Sequence, residues 1–198
     1  MRRILLAIGL LVAAFRLLPA EALTPTEYEI KAAFLYNFAK FVEWPPDVLD
    51  KNPGIFVIGI LGDDPFGSDL DRALEGKTVQ DRKLVLRRVS TVEEASSCHM
   101  LFISASNAAR VETILTSMRD VPVLTVSDMN RFVQRGGIVG FSVEERRIRF
   151  SINVAAATRA NLKVSSQLLK LAKTIISRRP VATPYAWLSF KIIPFAAS

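Results

Sequence analysis

The sequence holds one cysteine and one histidine among 198 residues. A disulfide-stapled fold is thereby excluded, and the stock for a His- or Cys-based catalytic or metal centre is thin. Long hydrophobic runs are also lacking. The longest, Ile4 to Phe15, covers twelve residues, short of the roughly 20 that a spanning helix needs. Glycine-rich phosphate loops are missing: no Gly-x-Gly-x-x-Gly follows a strand-like segment, and there is no Walker loop. Internal repeats and low-complexity stretches are absent as well. Residues 151–198 contain no acidic group against seven basic ones. What is present is apolar mass. Half the residues are hydrophobic and 23% are charged, enough to build one full-sized core rather than a disordered chain.

Arg2 and Arg3 precede the short apolar run, and Ala20-Glu21-Ala22 closes it. A basic start, a short apolar stretch and an Ala-x-Ala site predict a secretory signal peptide over residues 1–22, cleaved after Ala22. Arg16 sits late in the run and leaves an uncleaved anchor as the alternative. Export makes ATP-dependent chemistry and nucleic-acid binding poor fits. The formal charge of +7 is unevenly spread. Residues 23–150 carry 16 basic and 18 acidic groups, so the excess lies in residues 151–198. That polarity suits an acidic partner or an anionic membrane face, or a basic helix that merely faces solvent.

Residues 24–43 predict a helix, started by the capping-box pair Thr26 and Glu29. Ile30, Phe34, Phe38 and Phe41 form its apolar face, and Trp44-Pro45-Pro46 ends it. Strands are expected at 55–61, 82–89, 99–104 and 121–126. Helices are expected at about 68–75 and 108–118, with a short helix capped by Ser127 or Asp128 running through Val133. The pattern then changes to a hairpin, 138–143 with 147–153, and a final long helix over about 154–176. Arg159, Lys163 and Lys170 would form a basic stripe on that helix. The expected fold is a single α/β domain over residues 23–177. It has three layers, with a mostly parallel central sheet, helices on both faces, and a C-terminal hairpin followed by the long helix. Residues 178–198, rich in proline and aromatics, form a tail that could pack on the domain, meet a partner or membrane, or stay unfolded.

Candidate chemistry is sparse. Cys98 and His99 are adjacent and point to opposite faces if extended, which makes neither a nucleophile–base pair nor half a metal site. Gly62-Asp63-Asp64 is similar to the acidic pocket of receiver domains, but the third strand ends Ser104-Ala105-Ser106 and offers no phosphoacceptor aspartate. Glu144 and Glu145 fall in a hairpin turn, where solvation accounts for them. The expectation is a binding protein, not an enzyme, with no cofactor and no metal.

Four segments together resemble a known family: 29–45 (EIKAAFLYNFAKFVEWP), 136–141 (GGIVGF), 148–153 (IRFSIN) and 159–172 (RANLKVSSQLLKLA). The order and spacing resemble the YfiR/HmsC family of periplasmic proteins over about residues 26–176. The resemblance implies a compact α/β domain with a tendency to dimerise. It implies a periplasmic repressor of a membrane-bound diguanylate cyclase of the YfiN type, engaged at the periplasmic sensor domain. Lower cyclic-di-GMP, exopolysaccharide and biofilm would follow. An outer-membrane lipoprotein of the YfiB type would sequester it. One departure is plain: with only Cys98, no intrachain disulfide switch carries over.

A repressor surface should be apolar at its centre with a charged rim. The expected partner-binding residues are Phe34, Phe38, Phe41 and Trp44, with Arg159, Lys163 and Lys170, although core packing and a solvated face explain the same residues. Asn153 and Arg159 bracket the entry to the last helix and are candidates for a small anion at its N-terminus. The alternative function is a periplasmic small-molecule sensor or carrier serving an outer-membrane transport system.

Overall fold

The computed structural model describes residues 24–177; the expected signal peptide and the tail beyond Ser177 lie outside the described residues. Helix α1 spans Glu27–Phe41. Its start follows the capping box: the Thr26 hydroxyl accepts from the Glu29 N–H, and the Glu29 carboxylate accepts from the Thr26 N–H. The chain then turns extended as β1, Val42–Glu43, before the prolines that open α2, Pro46–Asp50.

Strand β2, Ile55–Leu61, lies inside the sheet. After it come α3 (Ser68–Leu74), β3 (Thr78–Val79), β4 (Arg82–Val89), α4 (Val92–Ser96) and β5 (Met100–Ile103). A 3-10 turn at Ala105–Arg110 leads into α5, Val111–Ser117, and then β6, Leu124–Ser127. The sheet continues through β7 (Val139–Glu144) and β8 (Arg147–Asn153). It ends, after α6 (Val154–Arg159), β9 (Lys163–Val164) and α7 (Ser166–Leu171), with β10, Thr174–Ile176.

Eight strands form one mixed sheet in the order β10-β8-β7-β6-β5-β2-β4-β3. The five from β4 to β7 are mutually parallel. Period-2 alternation sends Phe56, Ile58, Ile60, Met100 and Phe102 to one face, with α1, α3 and α7. Val57, Leu61, Leu101 and Ile103 point to the other, with α4 and α5. A strand buried on both faces must be apolar throughout, as Ile55–Leu61 is. At Gly59 a side chain has no room: a Cβ there would stand 2.7 Å from Cys98 Sγ.

The hairpin forms as expected. β7 and β8 pair antiparallel, with Glu145 and Arg146 both at positive φ in the turn, the geometry that suits strand twist.

The long helix expected over 154–176 is corrected. α6 stops at Arg159, and Asn161 takes a left-handed conformation at φ +55°, as asparagine can just past a helix end. Lys163 and Val164 pair with Glu43 and Val42 as a two-stranded ribbon. Ser165 then caps α7 through the Leu168 N–H, and Thr174-Ile175-Ile176 joins the sheet beside β8. β-branched residues suit that role. The short helix expected through Val133 is also corrected: residues 129–136 form turns, with Arg131 at φ +57°.

Candidate functional site

Phe38 is wholly buried and Trp44 is 5% exposed, so neither presents a surface. Phe34 and Phe38 pack against Phe141 and Phe150 with ring centroids 5.1–6.0 Å apart. The aromatic face of α1 is therefore the core of this layer, with Phe34 and Phe41 half-buried at its margin. Trp44 packs edge-on against Phe56 and donates its indole N–H to the His99 carbonyl at 2.9 Å.

The basic residues do not share one helix. Arg159 ends α6, Lys163 lies on β9, and Lys170 lies on α7, the two lysines exposed. Asn153 and Arg159 stand at opposite ends of α6. The Asn153 side chain is spent locally: Oδ1 accepts from the Ala156 N–H and Nδ2 donates to the Val133 carbonyl, both at 2.9 Å. The helix N-terminus is thus occupied by its own cap.

Cys98 and His99 face opposite sides of the sheet. Cys98 sits in the second core cluster, and burial pushes its thiol up to about 11, so it is not a thiolate nucleophile at neutral pH. His99 stacks on Phe56 at 4.8 Å, and its Nδ1 accepts the Val57 N–H at 2.8 Å. Burial holds this imidazole below the usual histidine range. Among the described residues, no group of three or more His, Cys, Asp or Glu is placed to hold a metal.

In doubly wound sheets ligands sit outside the carboxyl ends of the strands where the order reverses, here between β2 and β5. That crevice is filled by the chain itself. Asn107 Nδ2 donates to the Leu61 carbonyl at 2.9 Å, and the Asp63 N–H donates to Ser106 Oγ at 3.0 Å. Gly62, at φ +93°, passes so close that a Cβ would stand 2.2 Å from Asn107 Nδ2. Asp64 holds the loop, accepting from the Phe66 N–H and from Arg88. At the carboxyl end of β6, Lys31 of α1 is 2% exposed and lies between Asp128 at 2.6 Å and Glu27 at 2.5 Å, with the Tyr28 hydroxyl also donating to Asp128. Burial opposes the charge on Lys31, but the two carboxylates outweigh it and raise its proton affinity. Glu144, at the end of the hairpin, pairs with Lys173, whose hydrogen bond holds the carboxyl below its usual range.

The distribution of exposed apolar groups is uneven. The large hydrophobic side chains exposed among the described residues are Val143 (54%), Leu171 (67%) and Ile175 (45%). Val143 pairs with Ile148, and Ile175 with Ile152, along the β7-β8-β10 end of the sheet; Leu171 leads into β10. Among the described residues β10 is also the last strand of the sheet, and an edge strand presents backbone groups on its outer side. Sequence reasoning missed this surface because it assigned residues 171–176 to a helix. The signal was the β-branched run Thr174-Ile175-Ile176. A separate open cleft of about 660 Å³ lies between α3 and β4, lined by Asp71, Arg72, Lys77, Lys83, Leu84 and Leu86.

A family model described as YfiR/HmsC-like matches residues 28–173. This chain belongs to the YfiR/HmsC-like family. The match takes in the helix α1, the whole sheet up to the residue before β10, and the hairpin. Two solved structures are also similar. A conserved domain protein from Vibrio cholerae O1 biovar eltor aligns with a TM-score of 0.51 at 12% identity, covering 76% of this chain and 60% of that one. An ABC domain in complex with L-Trp from Streptococcus pneumonia aligns with a TM-score of 0.49 at 12% identity, covering 73% and 60%. This chain therefore spans about 60% of either protein's length. The first likeness is one of fold alone. Among the described residues, no helix is long and apolar enough to cross a membrane.

Proposed function

We propose that this protein is a periplasmic repressor of a membrane-bound diguanylate cyclase. It grips the cyclase's periplasmic sensor domain and lowers cyclic-di-GMP and biofilm output. Family membership supports the signalling system. The observation that carries the mode of action is the exposure of Leu171 and Ile175 at the β10 edge, with Val143 exposed two strands further in near the hairpin turn. Exposed apolar groups rimmed by charge, here Glu144, Arg147, Arg149, Lys170 and Lys173, are the make-up of a protein contact. A repressor shifts its target only by binding one conformer better than another, and an apolar edge that fits the inactive sensor domain supplies that difference.

The test is genetic. Deleting the gene in a strain that expresses the cyclase should raise cyclic-di-GMP and surface attachment, and the wild-type gene should restore both. Unchanged levels would count decisively against the reading. A second copy of the chain, or a lipoprotein of the YfiB type, would compete for the same edge. Sedimentation of the purified protein, alone and with the sensor domain, separates those occupants.

A further inference from the structure

At the amino ends of β6 and β7 the balance of charge differs from the rest of the molecule. Arg119, Arg135 and Arg159 line one cleft of about 190 Å³, together with Leu115, Thr116 and Gly136. Its floor continues inward past Met118, Ile138 and Ala156. Among the described residues only Arg135 is engaged: Nε pairs with Glu112 at 3.3 Å, and Nη2 donates to the Ala108 carbonyl at 3.2 Å. Among the described residues, neither Arg119 nor Arg159 has a carboxylate within ion-pair distance. The Arg159 Nε is buried and has no hydrogen-bond partner among the described residues. A buried donor left unmatched is costly. A cation in the last turn of α6 does favour the helix dipole, but that explains neither the orphaned Nε nor the two further guanidiniums facing the same space.

We propose that this cleft binds a small oxyanion, a phosphate or a short-chain carboxylate. Guanidinium forks match both groups in geometry and charge. Three guanidiniums on the wall of one cleft raise the local potential for an anion that enters. The volume lies below the roughly 300–1,000 Å³ of pockets for drug-sized ligands, which limits the occupant to a compact anion. The cleft shares no residue with the apolar edge at Val143, Leu171 and Ile175, so the proposal stands whether or not the cyclase reading does.

The experiment is calorimetric titration of the purified protein with sodium phosphate and with sodium succinate, at constant ionic strength set by chloride. Saturable binding of either probe is expected, and the tighter probe tells phosphate from carboxylate. Arg119→Gln and Arg159→Gln should each weaken it about tenfold, which is about 1.4 kcal/mol, whereas Arg87→Gln on β4 should leave it unchanged. If Arg159→Gln fails to fold, the exposed Arg119 decides alone. Neither probe binding above chloride, or cleft variants that titrate like wild type, would overturn the proposal.

Discussion

The two edges of the parallel strands handle charge in opposite ways. At the carboxyl edge, Lys31 is sealed between Asp128 and Glu27, and the crevice between β2 and β5 is closed by Ser106 and Asn107. At the amino edge, three arginines share an open cleft with one carboxylate contact. A buried charge that has its partners is structural: removing either side strands the other. Cations gathered without partners repel one another, and they persist where something outside the chain completes them. In most open α/β sheets the carboxyl edge is the working edge. Here that edge is built shut.

Substitutions sharpen the contrast. The largest effect should come from the aromatic layer under α1. Phe38→Ala should cost about 4 kcal/mol in urea unfolding, because a fully buried ring is lost from among Phe34, Phe141 and Phe150. Lys31→Met should cost about 3 kcal/mol by the same measurement, since the mostly buried Asp128 loses its cation; a loss under 1 kcal/mol would remove the distinction between the two edges. A pH effect should follow from His99. Its folded form takes up a proton less readily than the unfolded one. The contribution is therefore complete at pH 7.5 and is lost as pH falls below about 6.5. The urea midpoint should drop between pH 7.5 and 5.5, and less so in His99→Gln. The smallest effect belongs to the amino edge: Arg119→Gln should leave stability within about 0.5 kcal/mol of wild type or raise it.

The parts legible in the sequence are those with a local cause. The capping box at Thr26 and Glu29 marked α1, and the unbroken apolar run Ile55–Leu61 marked a central strand. The turn at Glu145 and Arg146 was visible between two alternating segments. The end of the domain was not. Ala157, Ala160, Val164 and Leu168 keep helical spacing across the break at Asn161, because α6, β9 and α7 all bury against the same core. Periodicity alone cannot tell one helix from two short ones aligned by packing. Asn161 as a left-handed stop and Ser165 as a cap were the local signals. The Thr91-x-x-Glu94 pair starts α4 by the same capping box as α1, but five residues are too few to show a face. The arginine cleft could not be read from sequence at all. Arg119, Arg135 and Arg159 come from three separate connections, and only the sheet order brings them together.

The account turns on the apolar edge as the place of grip. The direct measurement is the affinity of the purified protein for the periplasmic sensor domain of the membrane cyclase, with wild type beside Leu171→Glu and Ile175→Glu. Both positions are exposed, so the variants should fold normally, with unchanged circular dichroism. The account predicts saturable wild-type binding and at least tenfold weaker binding by each variant. Equal affinity in all three, or no wild-type binding, would contradict it.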